Sequence, residues 1–169
     1  VDGTAGGAGH SKEIALRLNG GCLYALDRDP DAVRVATERL SGLPAKVIHT
    51  NYSEMQSRLA EYGVDKVDGV LLDLGVSSWQ LDNGERGFSY HVDAPLDMRM
   101  SQTGFSAADL VNTFSVQEIT DILRNYGEEK FAYKIACNIV KAREVSRMGS
   151  ANTRKGIQKE SRASILKKP

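Results

Sequence analysis

The chain has 169 residues, of which 41% are hydrophobic, 26% charged and 7% aromatic, with 16 Gly and 4 Pro. This is a globular composition, which excludes collagen-like, disordered and membrane classes, and no apolar run approaches the roughly 18 residues of a membrane span. The net charge of zero divides into −6 over residues 1–144 (15 basic, 21 acidic) and +6 over residues 145–169 (7 basic, 1 acidic), so the tail is either a nucleic-acid arm or sequence foreign to the body. The opening Val1-Asp2-Gly3 has neither the basic nor the apolar stretch of a signal peptide. Cys22 and Cys137 each sit in an apolar run. They predict buried free thiols in a reducing cytoplasm, with no disulfide framework or zinc site.

In chain order, Val1-Asp2 has the character of a strand end and is followed by a glycine-rich loop from Gly3 to Gly9. Ser11 is the expected cap of a helix to Leu18, with apolar Ile14, Ala15 and Leu18 on one face. Cys22–Leu26 is a short apolar strand closed by Asp27. Asp29-Pro30 then pairs a cap with a first-turn proline, opening a helix to about Leu40. Lys46–His49 is a third strand, Ser53 the cap of a helix to about Tyr62, and Val67–Leu72 a fourth strand ending at Asp73. Apolar strands alternating with amphipathic helices predict an α/β fold with a parallel sheet covered on both faces.

Residues 74–104 are loop-like. Ser106-Ala107-Ala108-Asp109 and Ser115-Val116-Gln117-Glu118 have capping-box spacing, and Glu128 to about Arg143 carries a third helical pattern through Phe131, Ile135, Ala136, Ile139 and Val140. Residues 145–169 lack periodicity and predict an exposed or disordered segment. The four strand signals make up one half of a doubly wound sheet, so the chain is expected to be cut at both ends.

Ligands of open parallel sheets bind outside the carboxyl ends of the strands. Three groups fall there. The loop Asp2–Ser11 has glycines that bring backbone close to a ligand, and the helix after it offers N–H groups to a carboxylate. Asp27 can accept both hydroxyls of a ribose or cap the next helix, and Tyr52 can stack on an adenine or pack over a helix. Lys12 stands where a dinucleotide fingerprint needs its third glycine, and no Gly-Lys-Ser/Thr of a P-loop follows. An acid-rich Asp-x-x-x-Gly-Gly-x-Gly loop fits S-adenosylmethionine better, because that cofactor carries an ammonium beside its carboxylate.

The segment Leu71–Asp82 follows the fourth strand. Together with Glu85-Arg86-Gly87-Phe88-Ser89, Pro95–Met100 and Tyr126-Gly127-Glu128-Glu129-Lys130-Phe131-Ala132, its Asp73–Asp82 part resembles the MraW/RsmH family. The loop Gly3-Thr4…Gly9-His10-Ser11 and Leu26-Asp27-Arg28-Asp29-Pro30 match as well, so the likeness runs over residues 1–144. The resemblance implies a Rossmann-like class I methyltransferase with an inserted helical domain. It would transfer a methyl from S-adenosylmethionine to the exocyclic N4 of a cytosine in small-subunit (16S) ribosomal RNA, at the decoding site, in the cytoplasm. It implies cofactor contacts at Ala8, Gly9, His10, Asp27, Tyr52, Asp73 and Gln80. It also implies a division into a cofactor-binding part at 1–97 and a partial helical substrate-recognition insert at 98–144, and the charge pattern sets apart a basic tail at 145–169, disordered or not native to the body. Where the family usually has Gly, Pro and Gly, this chain has Ala8, Trp79 and Ala94.

An exocyclic cytosine amine is a weak nucleophile, because its lone pair is delocalised into the ring. An acceptor must hold one N–H so that the lone pair turns toward the methyl, and Asp73 is the catalytic candidate; its other role is to hold the cofactor's amino group. The target base must leave its stack to be reached. Trp79 is a candidate to stack on it, and Arg86, Arg99 and Lys130 are candidates for RNA phosphates. Arg99, flanked by Met98 and Met100 and near Asp97, reads alternatively as a buried structural ion pair. His49 and His91 have no metal-ligand spacing. Competing readings are a methyltransferase for another substrate, an NAD-dependent enzyme, and an inert truncated fragment. The oligomeric state is not legible.

Overall fold

Two parallel strands, β1 (Leu23–Asp27) and β2 (Ala45–His49), lie in register from Leu23 opposite Ala45 to Asp27 opposite His49. In this computed structural model, which describes residues 1–89 and 91–150, Asp2 makes parallel bridges to both Ala25 and Leu71. The order across the sheet is therefore β2, β1, Val1–Gly3 and Gly69–Leu71. Asp2 N–H donates to the Tyr24 carbonyl at 2.9 Å, Leu26 N–H to the Asp2 carbonyl at 2.7 Å, and Gly3 N–H to the Leu71 carbonyl at 2.9 Å. The fold is α/β with parallel strands, as the alternation of patterns predicts.

The fourth strand differs from its expectation. Of Val67–Leu72 only Leu71 forms a bridge, and Val67, Val70 and Leu72 are exposed. Asp2 is the only residue of the opening segment with a bridge on either side, so single bridges form where a ladder was expected.

The described residues divide into two compact units, a sheet unit, Val1–Trp79 with Met100–Gln102, and a helical unit, Gln80–Arg99 with residues 103–150. In the sheet unit, helix α1 spans Gly9–Arg17 and α2 spans Pro30–Arg39. Asp29 caps α2 by accepting from Asp31 N–H, with Pro30 in the first turn, as the Asp-Pro pair predicts. The core joins Ala5, Ala8, Ala25, Ala36 and Leu40, with Leu43, Ala45 and Val47 packed against them. These side chains are mostly small, so the glycine loop and α2 sit close on β1.

Two caps differ from the sequence reading. Helix α1 begins two residues before Ser11, after Ala8 in the left-handed region at φ 58°. Ser11 is instead buried and donates its hydroxyl to Asp2 Oδ2 at 2.6 Å. After β2, Asn51 accepts from Ser53 N–H and opens a 3-10 turn, Tyr52–Glu54, that leads into α3, Met55–Ala60.

Helix α4, Ser78–Asp82, and a 3-10 turn, Gly84–Arg86, occupy part of the stretch read as loop. In the helical unit, α5 (Ala107–Thr113) and α6 (Val116–Asn125) each open on the complete capping box that the spacing predicts. The Ser106 and Ser115 hydroxyl and N–H groups hold the Asp109 and Glu118 carboxyls below the usual carboxylate range. Helix α7 is Ala132–Val145 and starts four residues later than expected. Glu128 is left-handed at φ 49°, and a Cβ on Gly127 would stand 2.8 Å from the Leu123 carbonyl oxygen, so a turn intervenes. Arg143 on α7 donates to the carbonyls of Val111 and Phe114 at the end of α5, at 2.9 and 2.6 Å. Ile119, Ala136, Ile139 and Met148 form the core of this unit.

Cys22 is exposed and Cys137 half-buried, so the expectation of two buried thiols is corrected. Cys22 lies just before β1, and Cys137 lies within α7. Most of the expected basic tail, residues 151–169, lies outside the described residues. Among the described residues no helix is long and apolar enough to cross a membrane.

Candidate functional site

The carboxyl ends of Val1–Gly3 and β1 carry the glycine loop and Asp27, and Gly69–Leu71 leads directly into Asp73. This is where a parallel sheet changes the direction of its strand order, the usual ligand position. Buried Asp2 pins the start of the loop, accepting from Thr4 N–H at 3.0 Å as well as from Ser11. Ala5 N–H reaches the Leu26 carbonyl at 2.9 Å. Gly6, at φ 51°, gives its N–H to Asp27 Oδ2 at 2.8 Å. Asp27 Oδ1 accepts from Asp29 N–H at 2.9 Å, so this carboxylate ties the loop to the start of α2. A carboxylate has about four lone-pair sites, which leaves acceptor capacity for hydroxyls.

Ala8 is fully buried and its methyl belongs to the core cluster. It therefore packs inward and does not crowd the outer face of the loop. Its left-handed backbone explains why glycine suits the position. At Gly9 a Cβ would meet nothing within 4 Å. The N–H groups of Gly9, His10 and Ser11 fall in the first turn of α1, where helix geometry supplies no acceptor.

Asp73 N–H donates to the Thr4 hydroxyl at 2.7 Å. Its Oδ2 stands 3.8 Å from His10 Nδ1, with both side chains 68% exposed, and the two form an ion pair when the imidazole is protonated. Gly3 lies beneath them. A Cβ there would come 2.5 Å from Leu72 Cδ2 and 3.2 Å from Tyr52 Cβ, so glycine lets those residues close on the loop. The Tyr52 side chain is 42% exposed. Ala8, Gly9, His10, Asp27, Tyr52 and Asp73 thus gather on one end of the sheet unit. First-turn N–H groups, two carboxylates and a half-exposed ring match the carboxylate, ammonium, ribose and adenine of S-adenosylmethionine in chemical kind.

The remaining candidates lie further along the chain. Trp79, 55% exposed, ends the main segment of the sheet unit, and Gln80, buried on α4, begins the helical unit. Arg86 and Arg99 belong to one knot in the helical unit. Arg86 donates to the Arg99 carbonyl at 3.0 Å and lies 5.8 Å over the Phe88 ring, while Met98 N–H reaches the Arg86 carbonyl at 3.1 Å. A Cβ on Gly87 would run into the Pro95 carbonyl oxygen, which explains the glycine in Arg86-Gly87-Phe88. Arg99 donates to Asp97 through Nε at 3.0 Å and Nη2 at 2.6 Å, and to the Gly104 carbonyl through Nη1 at 2.9 Å. The ion pair of the alternative reading is present, but half-buried where a buried one is expected. The Arg99 guanidinium holds the Asp97 carboxyl below the usual range. His49 Nε2 lies 3.1 Å from the Arg28 carbonyl and Ser89 Oγ accepts from His91 N–H. Among the described residues no group of three or more His, Cys, Asp or Glu could hold a metal.

Sequence reasoning missed two contributors. The Thr4 hydroxyl links the loop to Asp73, and Arg39 reaches the Gly7 carbonyl at 2.6 Å. Both contacts join residues far apart in the chain, and neither has a local pattern.

The family model described as the MraW methylase family matches residues 1–165. The ribosomal RNA small subunit methyltransferase H of Lachnospira eligens is 55% identical over 148 residues, covering 85% of this chain and 47% of that protein. The ribosomal RNA small subunit methyltransferase H 2 of Agathobacter rectalis is 51% identical over 160 residues, covering 90% and 51%. That of Deinococcus deserti is 51% identical over 146 residues, covering 85% and 47%. The chain spans about half the length of the curated relatives it matches.

Proposed function

The chain belongs to the MraW methylase family, and we propose on that basis that it holds S-adenosylmethionine at the glycine loop and serves methylation of small-subunit ribosomal RNA in the cytoplasm. The target is the exocyclic N4 of a cytosine at the decoding site. The observation that carries this reading is the meeting of the loop, Asp27 and Asp73 at the carboxyl end of adjacent parallel segments. The cofactor, when bound, supplies a methyl made electrophilic by a sulfonium.

The chain's own residues then have distinct work. The N–H groups of Gly9, His10 and Ser11 in the first turn of α1 receive a carboxylate, and Ala8 packs beside it as the residue that starts the helix. Asp27 uses its remaining lone pairs for ribose hydroxyls, and the ring of Tyr52 lies against adenine. His10 donates a hydrogen bond to the cofactor. Asp73 would accept one N–H of the target amine, which turns the lone pair out of the ring's conjugation, and would take up the proton that the amine loses. Positioning supplies the rest, with reacting atoms about 3–3.5 Å apart. Trp79 stacks on the extruded base and Arg86 faces RNA phosphate. Arg99, engaged by Asp97, contributes by shaping its loop.

Two measurements test this. Calorimetric titration of the full chain with S-adenosylmethionine is expected to show binding, with Asp27→Ala raising Kd at least tenfold, as loss of charged hydrogen bonds predicts. In a full-length relative with the same residue, the counterpart of Asp73→Ala is expected to abolish methyl transfer to small-subunit RNA. No binding by the parent chain, or full activity without that carboxylate, overturns the reading.

A further inference from the structure

Three side chains bond to the backbone of the glycine loop, and they act on different groups. Asp2 takes the N–H of Thr4 and the hydroxyl of Ser11. Asp27 takes the N–H of Gly6. The third is Arg39, in the last turn of α2, whose Nη1 donates to the Gly7 carbonyl oxygen at 2.6 Å. A Cβ on Gly7 would stand 3.4 Å from the same nitrogen, so the guanidinium lies directly against the loop backbone.

We infer that Arg39 is a positioning residue that holds the Gly6–Ala8 backbone in the shape that receives the methyl donor. The inference deepens the donor-binding reading and rests on it. Asp27 fixes the Ala5–Gly6 peptide through its N–H and Arg39 fixes the Gly7–Ala8 peptide through its C=O, so the peptide groups flanking Gly6–Gly7 are both held. Gly6 is left-handed and Gly7 follows it without a side chain, so the local restraint on these two residues is a single turn closed across them. Ala8 comes next, also left-handed, and its own N–H is turned back to the Ala5 carbonyl at 2.7 Å. The tilt of the Gly7 peptide sets where α1 starts and hence where its first-turn N–H groups point. An arginine suits the task because its stem leans back toward the start of its own helix and its planar fork loses little freedom on bonding.

The test compares Arg39→Ala, Arg39→Lys and Arg34→Ala in the full chain. Arg34 lies on the same helix, pairs with Glu38, and controls for the loss of one positive charge. Amide exchange without donor is read at Gly6, Gly7 and Ala8, and S-adenosylmethionine affinity by calorimetry. Arg39→Ala is expected to speed loop exchange about tenfold and weaken affinity three- to tenfold. Arg39→Lys should recover part of both, and Arg34→Ala should change neither. Unchanged loop exchange in Arg39→Ala overturns the inference, whatever the affinity. Faster exchange with parental affinity also overturns it, because the loop shape then does not govern binding. If the parent chain binds no donor, the functional reading fails separately, and exchange alone decides whether Arg39 holds the loop. Should Arg39→Ala unfold, Arg39→Met, which keeps the stem and lacks the donors, replaces it with the same expectations.

Discussion

Asp2 in the sheet unit accepts from a backbone N–H and a serine hydroxyl, and so do Asp109 and Glu118 in the helical unit. The settings differ. Asp2 is 1% exposed, and its serine partner lies nine positions away and is itself buried. The helical carboxylates lie toward the surface, three positions from their serines. The same bonds therefore build a rigid loop in one unit and start two helices in the other. A buried polar pair cannot turn to water when one member is lost, whereas an exposed cap can.

That contrast can be broken by substitution. Asp2→Ala leaves the buried Ser11 hydroxyl and Thr4 N–H without their acceptor and is expected to cost about 3 kcal/mol in urea unfolding. Arg143→Ala removes two bonds to carbonyls at the end of α5 and is expected to cost about 2 kcal/mol by the same measurement. Ser106→Ala or Ser115→Ala removes one cap and is expected to cost about 1 kcal/mol. If Asp2→Ala proves no more damaging than Ser115→Ala, the distinction between the two settings falls.

Acid sharpens the comparison with a smaller effect. The carboxyls of Asp97, Asp109 and Glu118 have folded values below their ordinary ones. Each stabilises the fold fully above the ordinary carboxylate range near pH 4, and that contribution disappears as pH falls through the lowered folded values. Far-ultraviolet circular dichroism is expected to show helix loss below about pH 4, and Asp109→Asn with Glu118→Gln should flatten this dependence. An equally steep acid loss in the double variant would refute the assignment.

Legibility followed the same division. The two capping boxes and the Asp29-Pro30 start have partners within three residues, and each stands as the spacing predicts. The parallel order of strands followed from apolar runs and helical periods. The tethers of the loop were not visible: Gly6 to Asp27 spans 21 positions, Gly7 to Arg39 spans 32, and Thr4 to Asp73 spans 69. Ser11 has the residue type of a cap, and only the fold brings the Asp2 carboxylate to its hydroxyl. The late start of α7 depends on close approach at Gly127, which no residue pattern announces. Arg99 carried two readings, and the answer lay in the bidentate reach of its side chain to Asp97.

Ala8 sets two opposed preferences on one atom. Its left-handed backbone disfavours any Cβ by about 1 kcal/mol, while its methyl fills core space worth a similar amount. Exchange between alanine and glycine here is nearly neutral for the fold. A lineage can cross from one to the other in a single step, with no compensating change elsewhere, so variation at this position is no sign of altered chemistry.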